Sequence, residues 1–419
     1  MIRERNEIKY PVGVQSFEKL RTEGFLYVDK TKYIYQLIRT GGYYFLSRPR
    51  RFGKSLLLST IEAYYQGRRD LFKGLEIESL TNDWGPHPVL HLDLNNRQYI
   101  DNYSLEAQLN ARLEEWEEKY GEEKKDRKAE ERFAYVIRSA YEKTGKKVVI
   151  LVDEYDKPLI STLDKPELAE CYRSQLKAFY SNLKTMDSYI EMAVLTGVAR
   201  FSKVSIFSDL NNLRDISFEN EFSAICGVTS DELDHYFNIG VESLAKNNGI
   251  STKEARQRLR LNYDGYHFSP DSPDIYNPFS LLNAFAKNSI GKYWSESGTP
   301  EFLVRLMLKE DWPVADLAPC EIDSDELETA GIMSRNPIPV LYQTGYLTIK
   351  DYDSEFSLYT LDYPNEEVRI GFLKFLLPYY LYPQSNKNPF NIRLFINEVR
   401  NGEAEGFMKR LESMIAGVP

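Results

Sequence analysis

The chain has 419 residues, 42% of them hydrophobic and 28% charged, a composition typical of a globular protein with two or three packed domains. A net charge of −10 would repel polyanions, so nucleic-acid binding is unsupported unless a local basic patch exists, and the 3 widely spaced cysteines argue against a disulfide framework or a zinc ribbon. Since neither a bilayer-length apolar run nor a signal-peptide pattern is present, we expect a cytoplasmic protein without a membrane partner.

Short apolar runs between residues 43 and 196 predict the strands of a parallel sheet, because longer helical patterns separate them. The runs occupy 43–47, 89–94, 148–153 and 192–196, and a fifth short strand is expected at 214–217. Helices are predicted at 55–65, at 104–141 with a break near Gly121, and at 166–186. The alternation indicates an α/β fold with right-handed crossovers, in which ligands gather at the carboxyl ends of the strands.

A phosphate-binding loop is predicted at residues 48–55, RPRRFGKS, because this segment joins the first strand to the following helix. Gly53 would let the backbone approach the phosphates, Lys54 would reach the β and γ oxygens, and the Ser55 hydroxyl would bind Mg²⁺. Backbone N–H groups of the first helical turn would complete the anion site. The predicted nucleotide-binding residues are Arg51, Phe52, Gly53, Lys54, Ser55 and Leu56.

The loop departs from the usual pattern in its arginines. Arg48 stands where such loops normally have their first glycine, so a basic turn that only caps a helix remains an alternative. Arg50 and Arg51 make the loop unusually basic. For the three arginines we favour solvation, or pairing with the carboxylates of a partner, over direct contact with the nucleotide.

The strand at 148–153 ends in two adjacent carboxylates, Asp153 and Glu154. Carboxylates at the end of a buried strand cost free energy unless a cation or solvent meets them there. We expect Asp153 to orient Mg²⁺ through its water shell and Glu154 to polarise the attacking water, with solvent-facing carboxylates as the alternative. Asp93, at the end of the second strand, is either a further acidic group near the site or a solvated or capping residue.

The fourth strand ends at Thr196, our candidate for the polar residue that senses the γ-phosphate. Arg200 follows shortly after and would offset transition-state charge as an arginine finger, in cis or from a neighbouring subunit, although a surface arginine is an equal alternative. The strand at 89–94 falls between the two motifs in the sequence. It favours the class of P-loop proteins with an extra strand between the motifs over the kinase-like class.

Beyond residue 220 the strand–helix alternation fades. Thr229 and Glu232 form a capping box, after which the pattern is mostly helical to Lys287. Alternating segments within 337–363 predict a hairpin with an acidic turn at 351–355. We expect domains at 1–220, 221–335 and 336–419. Aromatic segments at 263–268 and 276–283 are interpreted as the core of the second domain rather than a partner surface, through Tyr266, Phe268, Phe279 and Leu282.

The chain resembles the AAA-ATPase-like proteins common in gut and anaerobic bacteria. The resemblance follows nearly the whole chain in order, through segments at 27–31, 48–55, 150–158, 195–208, 263–268, 276–283, 342–349 and 363–369. It implies a RecA-like ATPase core, a helical region, and commonly a carboxy-terminal PD-(D/E)XK nuclease-like domain, for which we find no matching pattern here. In this family the phosphate loop generally carries arginines, which makes Arg48 a family trait.

Together the motifs and the resemblance predict a P-loop ATPase that uses ATP and Mg²⁺. We expect slow turnover in a regulatory or effector-coupled role. One alternative is a nucleotide-gated binding module with negligible turnover that presents a surface to a partner. Another is the ATPase motor of a nuclease-linked, nucleic-acid-processing system. A protein partner or a homo-oligomer is compatible with either.

Overall fold

A computed structural model of the chain describes residues 8–121, 127–163, 165–200, 206–207, 210, 212–294, 303, 307, 312, 317–329, 336–380, 397, 401–406 and 408. Contacts divide the chain into two compact units, Met1–Arg369 and Ile370–Pro419. In the second unit, residues 370–380 complete the last helix, and Phe372 and Leu376 are buried. The finer division near residues 220 and 335 stays a prediction.

The central sheet of the described residues has five parallel strands, in the order β2-β3-β4-β1-β5. They are β1 Gly42–Ser47, β2 Val89–Asp93, β3 Val148–Asp153, β4 Ile190–Gly197 and β5 Leu213–Asp215. Every residue of β3 is buried, and β1 and β4 are buried at all but one position each, because helices cover both faces of a parallel sheet. The predicted α/β, RecA-like P-loop fold is confirmed.

The extra strand between the two motif strands is β4, which lies between β1 and β3. We expected the strand at 89–94 to fill this role, and that expectation is wrong for the order of strands in the sheet. That strand, β2, lies at an end of the sheet order, beside β3. The reason is that crossover connections let strands enter a parallel sheet out of sequence order, so neighbours in the chain are not always neighbours in the sheet.

The helices predicted at 55–65, 104–141 and 166–186 begin and end close to the observed positions, although the last is divided at Ser181. Four shorter helices of the sheet region, at 17–22, 31–40, 77–80 and 157–160, were not predicted. The predicted helix at 104–141 is two helices, and the first stops at Gly121, whose φ of 120° lies outside the helical range. The helices are α1 Phe17–Thr22, α2 Thr31–Thr40, α3 Lys54–Tyr65, α4 Ile77–Leu80, α5 Ser104–Tyr120, α6 Ala129–Thr144, α7 Lys157–Ile160, α8 Pro166–Tyr180 and α9 Asn182–Thr185.

The next region is mainly helical, as predicted. A short antiparallel pair, β6 Val228–Thr229 and β7 Ile275–Tyr276, accompanies α10 Ser230–Tyr236, α11 Asn238–Asn247, α12 Thr252–Tyr263 and α13 Pro278–Lys287. The capping box is present: the Thr229 hydroxyl accepts from Glu232 N at 3.2 Å, and the Glu232 carboxylate accepts from Thr229 N at 2.8 Å. Buried apolar side chains fill the space between the helices.

A small α+β region follows. Its antiparallel strands, in the order β8-β10-β9 among the described residues, are β8 Cys320–Asp323, β9 Thr348–Asp353 and β10 Leu358–Asp362. The hairpin is confirmed, but its turn lies at 354–357 rather than at 351–355, because residues 351–353 are the end of β9 and pair with β10. The helices are α14 Ser324–Thr329, α15 Ile338–Thr344 and α16 Glu366–Tyr380. No helix in the described ranges has the length and hydrophobicity that crossing a bilayer requires.

The segment before the hairpin corrects our sequence interpretation. Residues 340–344 looked like part of an alternating strand pattern, but they belong to α15. Every residue of α15 is buried, and Gly345 ends the helix with a φ of 87°. A short apolar run that is buried on all sides has no periodicity that distinguishes a helix from a strand.

Candidate nucleotide-binding site

The phosphate loop leaves β1 and closes at the first turn of α3. Gly53 is the residue before the helix and has a φ of 99°, a left-handed conformation that costs other residues about 1–2 kcal/mol. Arg51 shares this conformation with a φ of 67°. The first N–H groups of a helix have no partners within it. They therefore form an anion-binding end, and Lys54, Ser55 and Leu56 of this turn line an adjoining cavity.

Lys54 and Glu154 meet at this cavity. The Lys54 ammonium donates to the carbonyls of Arg48 at 3.0 Å and Pro49 at 3.3 Å, and its Nζ lies 3.5 Å from Oε1 of Glu154. The Lys54 side chain is 3% exposed and that of Glu154 23%. Glu154 has a φ of 52°, a strained conformation for a residue with a Cβ. The structure thus brings the two predicted residues together and stores backbone strain at one of them.

The ends of three neighbouring strands place polar groups beside this pair. The buried Thr196 hydroxyl at the end of β4 donates to Asp153 Oδ1 at 2.7 Å, and Glu154 N donates to the same oxygen at 3.1 Å. Asp93 pairs in register with Asp153 across β2 and β3. Burial, and then the charges of Asp153 and Glu154, raise the pKa of Asp93, although Asn95 N donates to it at 2.8 Å. Asp93 therefore serves both as a turn cap and as a further acidic group here.

The cavity has a volume of about 360 Å³, within the range of small-molecule sites. Among the described residues that line it, the side chains with basic groups are Lys30, Arg50, Arg51, Lys54 and Lys157, and the one acidic side chain is Glu154. Apolar side chains come from the amino-terminal segment, such as Val14 and Leu26, and from the mainly helical region, such as Phe237. In a protein with a net charge of −10, this cleft favours an anionic ligand with an apolar part.

Two arginines in or near the motifs do not face this cavity. Arg48 is 1% exposed, and its guanidinium donates to the carbonyls of Ser47 and Ser217, each at 2.8 Å, and of Phe222 at 3.1 Å. Burial lowers the pKa of Arg48 to about 10. Our expectation that Arg48 is solvated or pairs with a partner is therefore wrong. Its fork of donors needs several acceptors, and the buried carbonyls beyond β5 supply them.

Arg200 lines a smaller, separate cavity. Its guanidinium donates to the Asp215 carboxylate and, at 3.0 Å, to the Glu328 carbonyl, and it stacks 4.4 Å from the centre of the Phe218 ring. The arginine-finger role stays a prediction, and it would require these contacts to break.

Phe52 also differs from its predicted surroundings. Its ring is 1% exposed and packs against the rings of Tyr266 and Phe268, with centroids 4.8 and 5.5 Å away. The side chain therefore anchors the phosphate loop to the 263–268 motif, and only the backbone of Phe52 remains a candidate for contact with phosphate. The predicted burial of Tyr266 and Phe268 is confirmed.

Several cleft residues escaped the sequence analysis. Phe279 and Leu282, which we assigned to the core, are half-buried and line the cleft, and the Arg51 guanidinium lies 5.1 Å from the Phe279 ring centre. Lys30 also lines the cleft and donates to both Glu232 carboxylate oxygens, at 2.6 and 2.7 Å. These contacts join segments about 200 positions apart. Local sequence patterns carry no signal for such contacts, although the family resemblance at 27–31 marked the segment.

The arrangement fits a nucleoside triphosphate with Mg²⁺. The anion-binding turn, the Lys54 ammonium and the cationic lining match a polyphosphate, and the apolar side chains match a base and sugar. Within the described ranges, no group of three or more His, Cys, Asp or Glu side chains is placed to hold a metal ion alone. Mg²⁺ usually binds through one or two protein ligands plus phosphates and water, a role that Ser55 and Asp153 could fill.

The fold and the loop define a P-loop nucleotide-binding protein, and comparisons name its family. The family model described as "Predicted AAA-ATPase" matches residues 11–207. An uncharacterized protein in the vnfD 5′ region of Azotobacter chroococcum mcd 1 is 38% identical over 377 residues, which cover 89% of this chain and 70% of the relative. The chain belongs to the AAA-ATPase-like family.

A search of solved structures found a weaker similarity. The Aeropyrum pernix ORC2 protein, solved in ADPNP–ADP complexes, aligns with 11% identity and a TM-score of 0.28. The alignment covers 89% of this chain and 97% of the ORC2 chain.

Proposed function

We propose that this protein binds Mg-ATP in the cleft and hydrolyses it slowly, as a regulatory or effector-coupled ATPase. The observation that carries the proposal is the pair formed by Lys54 and Glu154, 3.5 Å apart at the anion-binding turn of α3. When ATP is bound, Lys54 would move from the loop carbonyls to the β and γ oxygens. Glu154 would then be free to polarise water, with Mg²⁺ held by Ser55 and, through water, by Asp153.

Slow turnover is supported by the contacts that Lys54 and Glu154 already make. The Lys54 ammonium must leave two carbonyls and the Glu154 carboxylate before it can bind phosphate. Each competing contact reduces the fraction of molecules in the binding-competent arrangement, so the apparent ATP affinity, and with it turnover below saturating ATP, falls by that fraction. An effector that stabilises the competent arrangement would raise turnover.

The proposal is tested by steady-state ATP hydrolysis with Mg²⁺, comparing the parent protein with Glu154→Gln, each with and without DNA. We expect turnover in the parent that is lowered about 100-fold or more by Glu154→Gln, because general base catalysis contributes on the order of 10²–10⁴. ATP affinity should not fall, because the removed carboxylate acts in the transition state and, in the structure, competes with phosphate for Lys54. EDTA should stop hydrolysis.

The matched control is Glu142→Gln, which changes an exposed glutamate on α6 and should hydrolyse ATP like the parent. If Glu154→Gln turned over ATP as fast as the parent, Glu154 would not be the residue that polarises water. Stimulation by DNA would favour the nucleic-acid-processing alternative.

A nucleotide-gated binding module is the second candidate, and the position of Arg200 favours it. In this structure Arg200 is bound to Asp215 and to the Glu328 carbonyl rather than facing the cleft. ATP binding with no measurable turnover in the parent would support this candidate. A partner or a second copy of the chain would then bind a surface that depends on which nucleotide is bound.

A further inference from the structure

Asp156 is a buried carboxyl for which the proposed reaction has no direct use. Asp156 is 0% exposed. Oδ2 accepts from the backbone N–H groups of Val198 at 2.9 Å and Ala199 at 2.6 Å, whereas Oδ1 has no hydrogen-bond partner among the described residues. Burying a carboxyl is costly, so its retention there calls for a role.

The segment that Asp156 holds, 197–199, follows Thr196 directly and is also tied to the phosphate loop. The Tyr155 hydroxyl donates to the Ala199 carbonyl at 2.8 Å, and the Ser47 hydroxyl donates to the Val198 carbonyl at 2.6 Å. Arg48 N donates to the Gly197 carbonyl at 3.2 Å. The segment therefore connects the residues after Glu154 with the residues that enter the phosphate loop.

Packing at Gly197 shows how closely residues 155–156 fit against segment 197–199. A Cβ at this position would lie 2.6 Å from the Tyr155 ring and 2.7 Å from Asp156 Oδ1, distances that real side chains do not reach. Only glycine fits without displacing Tyr155 or Asp156. A small movement of residues 155–156 must therefore move segment 197–199 as well.

The same segment leads away from the nucleotide cleft. Arg200 N donates to the side-chain oxygen of Gln343 in α15 at 2.9 Å, and the Arg200 side chain reaches the α14 carbonyl of Glu328. Segment 197–200 is thus in contact with the ATP site at one end and with the small α+β region at the other.

Asp156 is also within electrostatic reach of the catalytic pair. Burial and then the negative charge of Glu154 raise the pKa of Asp156 to about 7, and the positive charge of Lys54 opposes the shift. Movement of either side chain on nucleotide binding would change the field at Asp156.

We propose that Asp156 is a positioning residue, which fixes segment 197–199 behind Glu154 and Thr196 and couples the ATP site to the Arg200–Gln343 contact. The inference rests on the proposed ATPase function. It assigns to Asp156 no contact with nucleotide, metal or reacting water, and Val198 is the one residue of the segment that lines the cleft. The effect of Asp156 should therefore appear in kcat and in the order of segment 197–199, and only weakly in nucleotide affinity.

The test compares the parent with Asp156→Ala and Asp156→Asn. The asparagine keeps an oxygen that can accept from both amides, whereas alanine removes it. We expect Asp156→Ala to lower kcat by about 10–100-fold, since displacing a catalytic group by about 1 Å costs up to 10²-fold. ATP affinity should stay within about 3-fold of the parent. Asp156→Asn should recover kcat to within about 3-fold of the parent.

Hydrogen–deuterium exchange supplies a readout that does not need turnover. The Val198 and Ala199 amides should exchange at least about 10-fold faster in Asp156→Ala than in the parent or in Asp156→Asn. Unchanged exchange and kcat in Asp156→Ala would overturn the inference, and so would an Asp156→Asn protein as impaired as Asp156→Ala. If the parent showed no turnover but the exchange pattern held, the ATPase proposal would fail while Asp156 would still be shown to fix this segment.

Two further variants serve as controls. Asp264→Ala removes another buried aspartate, one that does not line the cleft, and should lower stability without changing kcat. If Asp156→Ala does not fold, Tyr155→Phe removes the hydroxyl that donates to the Ala199 carbonyl of the same segment. It should lower kcat by about 3-fold and speed exchange at 198–199, with unchanged ATP affinity. A Tyr155→Phe protein equal to the parent in both measurements would contradict the proposal.

Discussion

The carboxyl edge of the five-stranded sheet and the helical region from Thr229 to Lys287 are built in opposite ways. In the helical region, helix starts are capped by Thr229, Ser251 and Asn277, and the core is apolar. At the sheet edge, charged groups such as Lys54 and Asp156 are buried. Glu154 there adopts a left-handed backbone conformation.

The difference indicates that the helical region stabilises the fold, whereas the sheet edge loses stability to form a functional site. Local sequence preferences and tertiary packing agree in the helical region, which is what makes a segment fold reliably. At the sheet edge they conflict, and such conflicts concentrate at functional sites. We expect substitutions in the first region to change stability with little effect on nucleotide binding, and substitutions at the second to do the reverse.

The largest expected effect on stability comes from Leu259→Ala. Leu259 is 0% exposed in the helical core, so its truncation should lower the free energy of unfolding by about 2–5 kcal/mol. Urea unfolding would measure this change. ATP affinity of the folded protein should be unaffected, because Leu259 does not line the cleft. A large loss of ATP affinity in the folded variant would contradict the expectation that substitutions in the helical region change stability and not nucleotide binding.

The next largest effect is on nucleotide binding, through Lys54→Ala. Removal of the ammonium should weaken ATP binding by about 100-fold, or about 2.7 kcal/mol, because charge-assisted contacts to phosphate are lost. The free energy of unfolding should change by less than about 1 kcal/mol, since the desolvation cost of the buried ammonium offsets most of the gain from its contacts. Calorimetric titration with ATP measures the first quantity and urea unfolding the second.

The control for Lys54 is Lys246→Ala, which removes an exposed lysine of α11 and should bind ATP like the parent. Equal affinities for Lys54→Ala and the parent would mean that the loop does not hold the phosphates.

The smallest expected effect concerns strain at Glu154. Glu154→Gly and Glu154→Ala both remove the carboxylate, but only glycine adopts a φ near 52° without cost. We expect the glycine protein to be about 1 kcal/mol more stable than the alanine protein. Both should bind ATP and fail to hydrolyse it. Equal stabilities would mean that the backbone at this position carries no strain in solution.

At the site, residues within local motifs were predicted from the sequence, whereas the surroundings of residues with long-range contacts were not. Lys54, Ser55, Asp153 and Glu154 were predicted from strong local motifs, and the structure brings Lys54 and Glu154 together. Their roles at the site stay predictions. Arg48 was misjudged because two of its acceptors, the Ser217 and Phe222 carbonyls, lie about 170 positions away. Phe279 and Leu282 were assigned to the core because an aromatic motif has the same composition whether it lines a cleft or fills an interior.

The sequence by itself determined the strands of the central sheet, the positions of the longer helices around them and the phosphate loop, because these follow from periodicity, capping and motif spacing within short windows. Only the tertiary structure decided that β4 separates the motif strands, that Lys30 and Glu232 meet beside the cleft, and that Asp156 holds segment 197–199. The physical reason is range: a local pattern fixes the conformation of a segment, whereas the identity of its neighbours depends on how buried surfaces pack across the whole chain.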